Sequence, residues 1–226
     1  MKTKLSYIFI LLHTLVSCQE NIIINDLKFS NYSGRPKKIT EIITFSNQKI
    51  DKSISYFDKD GLLVKIEYYN LTKSESPNER FLNKIINYNS KDKAKRYFES
   101  INPENNKIEA EGYFEKITDS MYKRVSNSNI YNISLSKLFY FDKNNKLIKT
   151  EETGNFKELK INNTIIYSYT NSERTEMIIE DLINQKKSTL FYENIKLDQN
   201  FNSIYEELFD GSGTLQQKIE REFEYY

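Results

Sequence analysis

Beyond residue 38 the chain runs in short stretches of alternating apolar and polar residues, rich in Ile, Tyr, Phe, Thr and Val and interrupted by Asn, Asp and Gly pairs. That spelling predicts strands joined by tight turns. The clearest unit is Ile54-Ser55-Tyr56-Phe57-Asp58-Lys59, then Asp60-Gly61, then Leu62-Leu63-Val64-Lys65-Ile66-Glu67-Tyr68. Asp-Gly suits a type I′ turn, whose two central residues both need positive φ. The expected register sets Phe57 opposite Val64 and Tyr56 opposite Lys65. One face then carries Phe57, Leu62, Val64 and Ile66 and the other carries Tyr56, Lys65 and Glu67, as in a half-buried antiparallel pair.

The unit recurs. Tyr140-Phe141-Asp142-Lys143-Asn144-Asn145 repeats Tyr56-Phe57-Asp58-Lys59-Asp60-Gly61, and Phe209-Asp210-Gly211-Ser212-Gly213 is a looser third copy. Asn pairs at 105–106 and 162–163 are read as further breaks between strands. A carboxylate just ahead of a tight turn can accept backbone N–H bonds, so Asp58, Gly61, Asp142, Asp210 and Gly213 are assigned to turn formation. The expected fold is mainly β, an antiparallel meander of repeated hairpins forming an open sheet or a sandwich. Two segments also carry helical spacing. Residues 77–87 begin with a capping box and a Pro at the first helical position, and residues 173–186 fit a helix as well as a strand.

These hairpins resemble the tyrosine-aspartate, or Rhs-type, repeats, in which an aromatic-Asp pair precedes a short turn, a Leu and the next strand. The resemblance implies extended antiparallel sheet used as a wall or scaffold, with no catalytic centre of its own.

The amino-terminal residues follow a different pattern. Lys2 and Lys4 precede a largely apolar run from Leu5 to Val16, too short for a membrane span, which ends in Leu15-Val16-Ser17-Cys18. This resembles the bacterial lipoprotein signal, which implies that Cys18 becomes the first residue of the mature chain and carries a diacylglycerol thioether and an acyl group. Two or more acyl chains anchor durably where one does not. The expected division is a signal peptide over 1–17, a lipidated start and tether over 18–38, and a single β-rich domain over 39–226. Ile22 to Ile24 could instead form a first strand. Arg35, Lys37 and Lys38 are placed in the tether, within reach of anionic headgroups, and Lys91, Lys93, Lys95 and Arg96 on an exposed strand face, where edge lysines discourage aggregation.

Composition narrows the chemistry. The chain has 33 Lys plus Arg against 32 Asp plus Glu, one Cys, one His and no Trp. Near-neutral charge gives no electrostatic reason to bind nucleic acid. Removal of residues 1–17 would take away His13, the only imidazole, and lipid would occupy the only thiol. Triads, Cys-His pairs and His/Cys zinc sites then lack their components. Asp58-Lys59-Asp60-Gly61 looks like the start of a calcium loop, but the twelfth position, which needs a bidentate acid, is Tyr69. Carboxylate pairs for glycoside hydrolysis could be drawn from Glu67, Glu109, Glu111, Glu151, Glu152, Glu206 and Glu207, with no pair set apart by its context.

No catalytic, cofactor-binding or metal-binding residue is singled out. The expected role is that of a cell-envelope lipoprotein, attached to a bacterial membrane through Cys18, with the outer membrane as the expected destination and an envelope protein or glycan as partner. It would act without catalysis, binding or building through a β-sheet surface. The competing reading is a carbohydrate- or lipid-handling protein, such as a carboxylate-dependent hydrolase.

Overall fold

The computed structural model describes residues 26–30, 32–71, 81–89, 95–171 and 173–226. Fourteen antiparallel strands follow a 3-10 helix at Asp26–Ser30: β1 (Pro36–Phe45), β2 (Ile50–Phe57), β3 (Leu63–Leu71), β4 (Phe81–Asn89), β5 (Lys95–Asn102), β6 (Lys107–Thr118) and β7 (Met121–Ser128). The second half is β8 (Ile133–Phe141), β9 (Leu147–Phe156), β10 (Leu159–Thr170), β11 (Glu173–Asp181), β12 (Lys186–Leu197), β13 (Ser203–Asp210) and β14 (Leu215–Tyr225). Each strand pairs with its neighbours in sequence, and β1 pairs with β14, with Ile39 opposite Phe223 and Ile43 opposite Ile219. The sheet is therefore a closed up-and-down barrel. The expected open sheet or sandwich is wrong, because closure leaves every strand paired on both sides.

Both expected helices are strands instead. Residues 81–87 belong to β4, while 77–80 lie outside the described residues; residues 173–186 are β11, a turn and the start of β12. Ile85 and Ile86 explain the first misreading. Ile86 is buried in the lumen and Ile85 faces the opposite way, so apolar residues on both faces of one strand mimic helical spacing. Cys18, the signal segment and Ile22 to Ile24 lie outside the described residues, as do Lys91 and Lys93. Arg96 is not on an exposed face; it is 1% exposed and points inward. Lys37 and Lys38 start β1 and pair with Glu224 of β14. Asn162 and Asn163 sit within β10, paired with Thr153 and Asp181.

The recurring aromatic-Asp spelling has a local physical cause. Asp58 Oδ1 accepts the N–H groups of Asp60 (3.0 Å) and Leu62 (2.9 Å), Asp142 Oδ1 those of Asn144 and Lys146 (both 2.8 Å), and Asp210 Oδ1 those of Ser212 (2.9 Å) and Thr214 (3.0 Å). In each turn the Asp carbonyl accepts the N–H of a residue at positive φ: Gly61 (78°), Asn145 (61°) and Gly213 (80°). Only one residue per loop is left-handed, so these are three-residue loops closed by a left-handed residue and not the two-residue type I′ turn. The extra residue shifts the register, and Phe57 pairs with Leu63, while Tyr56 still faces Lys65. In the first two copies the Tyr lies on the outer wall and the Phe in the lumen; in the third the buried residue is Leu208, ahead of Phe209. With only 6 Gly in the chain, Asn takes several of the other left-handed turn positions, at Asn106, Asn132 and Asn171.

Much of the lumen is filled by side chains. Leu27 of the 3-10 helix packs on Ile39 and Phe57. Phe29 stands edge-on to four rings of β6 to β8, Phe114, Tyr122, Phe139 and Phe141, with centroids 5.1 to 5.3 Å apart. Asp26 forms a buried ion pair with Arg96 of β5 and accepts the Leu63 N–H at 2.5 Å. The amino-terminal segment thus plugs one end of its own barrel. A second cluster, Leu190, Leu208 and Ile219, with Ile43, Met177 and Ile179 against it, fills the lumen between β1 and β11–β14.

Candidate functional site

Two surfaces could do work: the outer wall and what remains open of the lumen. Strand alternation assigns residues to each. Ile39 and Ile219 face inward, so Lys38, Lys218, Glu220 and Glu224 face out; Thr150 faces inward, so Lys149 and Glu151 face out. The outer wall carries a repeated arrangement of Lys, Glu and Tyr. Glu67 is held by Lys65 (2.6 Å) and by the hydroxyls of Tyr56 and Tyr69 (both 2.9 Å), and Glu151 by Lys149 (2.5 Å) and the Tyr140 hydroxyl (2.6 Å). Tyr205 donates to Glu207 at 2.5 Å, with Lys218 over the Tyr205 ring at 5.3 Å. Lys95–Glu115 and Lys187–Glu180 extend the charge around the wall.

These contacts decide the chemistry of the carboxylates considered above. Hydrogen bonds from Lys149 and then Tyr140 hold the Glu151 carboxyl below its usual range, and those from Tyr205 and Asn194 do the same for Glu207. At Glu67 burial pushes upward, but Lys65, Tyr56 and Tyr69 together outweigh it. A general acid needs the opposite shift. Glu109 binds the Asn102 amide and the Tyr131 hydroxyl, Glu111 pairs in register with Glu99, and Glu152 lies opposite Lys137. Glu206 faces the lumen, against Arg221 at 3.3 Å. Among the described residues no group of three or more His, Cys, Asp or Glu could hold a metal ion.

Inside the barrel, the up-and-down order puts the turns at 58–62, 142–146 and 198–202 at the same end as the start of β1 and the 3-10 plug. The plug occupies the side formed by β2 to β9. On the β10–β14 side a cavity of about 270 Å³ remains, floored by Tyr32, Arg174, Glu206 and Arg221 and rimmed by Ile195, Leu197 and Phe201. Arg221 is fully engaged: its Nε donates to Glu41 at 2.7 Å and its guanidinium pairs with Glu206. Arg174 is not. It packs against the rings of Tyr167 (4.5 Å), Tyr192 (5.6 Å) and Tyr169 (5.8 Å), donates to the Tyr192 and Tyr169 hydroxyls only at 3.4 Å, and leaves its buried Nε without a partner.

The rim is shaped by two local irregularities. β12 bulges between Glu193 and Leu197, with Asn194 at φ 51°. Upstream, Leu190 and Tyr192 face the core; past the bulge the phase switches, and Ile195 and Leu197 line the cavity. The turn that follows is a fourth copy of the Asp loop: Asp198 Oδ1 accepts the N–H groups of Asn200 (2.8 Å) and Asn202 (2.9 Å), and the Asp198 carbonyl accepts that of Phe201. Phe201 stands where the other copies have Gly or Asn, at φ 62°, with its side chain 80% exposed. A bulky residue there costs about 1–2 kcal/mol. The turn persists because it is over-determined: Asn202, 1% exposed, clamps both the N–H and the carbonyl of Ser33 and donates from Nδ2 to the Tyr225 hydroxyl at 2.7 Å. Phe201→Gly should therefore raise stability by about 1 kcal/mol, a gain in Tm of roughly 2–4 °C for a domain of this size, read by thermal denaturation. A fall in Tm would show that the ring is needed for folding.

Of the residues lining this cavity, sequence reading had named only Glu206, and as one acid among seven. Arg174 carries no motif, and Asp198-Gln199-Asn200-Phe201 hides the turn because its last residue is aromatic.

No protein-family model matches the sequence, the tyrosine-aspartate repeats included, and no curated protein matches it. Solved structures do. A porin-like protein from Bacteroides uniformis ATCC 8492 aligns with a TM-score of 0.52 at 10% identity, over 85% of this chain and 99% of that one. A porin-like protein from Bacteroides vulgatus ATCC 8482 aligns with a TM-score of 0.50 at 9% identity, over 86% and 99%. A domain of a putative outer membrane lipoprotein-sorting protein from Vibrio parahaemolyticus reaches a TM-score of only 0.35 at 8% identity, over 88% and 89%, and carries no argument. At these identities the likeness to the two porin-like proteins is one of fold: a closed antiparallel barrel.

Proposed function

We propose that this chain is a membrane-tethered envelope protein whose barrel stands in water beside the bilayer, without crossing it, and binds a small ligand in the cavity at its plugged end. The observation that carries this reading is the charge on the outer wall. A spanning barrel needs an outward apolar band, and a lysine at the bilayer midplane costs about 2–4 kcal/mol. Here Lys38, Lys65, Lys95, Lys149 and Lys218 all project outward, each in contact with a Glu of the same wall. Such pairs suit solvent and oppose lipid.

Attachment then falls to Cys18, on the strength of the signal-like sequence around it. Only residues 19–25 separate Cys18 from the plug, a reach of at most about 28 Å, so the barrel would ride close to the headgroups. The likeness to two porin-like proteins supports an envelope setting. The downward-shifted carboxylates of the outer wall favour binding over hydrolysis.

Detergent phase partitioning tests the reading. The wild type, expressed in a bacterium with labelled fatty acid, should incorporate label and enter the detergent phase. Cys18→Ser should take no label, stay in the aqueous phase and form no conducting channel in a planar bilayer. Label in both proteins would refute the anchor, and a Cys18→Ser protein that enters detergent or conducts ions would refute the water-exposed wall.

A further inference from the structure

We infer that the cavity at the plugged end is a site for a small organic anion, an apolar body with a compact carboxylate or phosphate head, in which Arg174 receives the head and Phe201, Ile195 and Leu197 cover the body. This rests on the binding role proposed above and names the class of ligand.

The floor supplies one uncommitted cation. Arg221 is shared between Glu41 and Glu206 and so has no free charge to offer a ligand. Glu173, the other acid at the cavity, is exposed at its outer margin. Arg174 forms no ion pair among the described residues, and its two hydrogen bonds are long. Three tyrosine rings hold the guanidinium plane in place, its buried Nε has no partner and its two terminal nitrogens make only the long contacts to tyrosine hydroxyls. A planar fork of N–H donors fixed by aromatic contacts is matched by the paired oxygens of a carboxylate or phosphate, which it binds bidentately. Because the guanidinium is already oriented, little side-chain freedom is lost on binding.

The rim supplies the apolar half. Left-handed backbone at Phe201 is disfavoured for an aromatic residue, yet the same loop elsewhere in the barrel uses Gly or Asn. An exposed ring held there at the expense of stability marks a residue kept for contact. The β12 bulge turns Ile195 and Leu197 to the same opening. At about 270 Å³ the space lies at the small end of ligand pockets, which suits a head group on a short chain or single ring.

The absence of Trp from the chain makes a clean assay. In a full-length chain carrying Cys18→Ser, to keep lipid out of the titration, Phe201→Trp places a single indole at the rim. Octanoate and octyl phosphate should each produce a saturable change in its emission; their relative affinities tell which head is preferred. Octanol and octylamine should bind at least tenfold more weakly. Arg174→Gln should weaken octanoate at least tenfold, and Arg174→Lys, which keeps the charge but loses the fork, by less. Thermal melts establish that each variant is folded. If octanol binds as tightly as octanoate, or if folded Arg174→Gln leaves octanoate affinity unchanged, the anion assignment is wrong while a binding cavity stands. If none of the four compounds gives a saturable change, and octanoate also gives no heat of binding with Phe201 intact, the cavity reading falls with it.

Discussion

Arg96→Ala destabilises the barrel by about 3–5 kcal/mol, the usual effect of removing one member of a buried ion pair. Arg96 is 1% exposed, pairs with Asp26 and donates to the Leu63 carbonyl, so its loss leaves a carboxylate enclosed without a counter-charge. The pH dependence separates this cause from a simple packing defect. Burial already pushes the Asp26 carboxyl above its usual range, and Arg96 pulls the other way. Without Arg96 the shift grows. A carboxyl raised in the folded state favours folding below its unfolded pKa and loses that advantage as pH rises through the folded value. The deficit of Arg96→Ala in urea unfolding should therefore shrink as pH is lowered toward the unfolded carboxylate range, whereas a packing defect would be the same at every pH. Replacing both partners with apolar residues, Asp26→Leu with Arg96→Met, should recover part of the loss, because no buried charge then remains.

The second large effect is alkaline. Burial pushes the hydroxyls of Tyr32, Tyr88 and Tyr167 up to about 12, and burial together with the Glu67 carboxylate does the same to Tyr56. The unfolded chain ionises these groups near 10, so their contribution is complete below pH 10 and is lost between 10 and about 12. A rise from 10 to 12 corresponds to about 3 kcal/mol at one fully enclosed site. Tyr32, Tyr88 and Tyr167 are partly exposed and each contributes less than that, but together they remain appreciable against the net stability of an ordinary domain, about 5–15 kcal/mol. Tyrosinate absorbance should show most of the 17 tyrosines titrating smoothly and the last few ionising together with loss of the barrel's circular dichroism. Smooth ionisation of all of them, with the barrel still folded at about pH 12, would contradict the enclosed positions of these rings.

Local features of this fold are written in adjacent residues, and the global one is not. Tyr56, Phe57 and Asp58 each have a separate task, outer wall, lumen and turn, and alternation with a breaker makes that readable in three letters. Closure depends on the registers of all fourteen pairings together, and each bulge, such as those after Tyr56 and Leu208, shifts the sum. No window of sequence holds that quantity. The plug was hidden for a related reason. Asp26 and Arg96 are 70 residues apart and read as solvated charges until the fold encloses them. Arg174 likewise becomes notable only when three tyrosines from two other strands, β10 and β12, surround it. Phe201 concealed its own turn, since the left-handed position that a Gly would announce is filled by the residue least expected there.

The seam between the first and last strands sets a condition on how the molecule is made. Lys38 meets Glu224 across 186 positions, and Pro36 meets Tyr225. A polypeptide emerging amino end first can zip successive hairpins as they appear, but the cylinder stays an unsealed ribbon, with two raw margins, until the eleven residues of β14 arrive. Until that strand pairs, those margins stay open to other copies of the chain, and its loss would leave them so permanently.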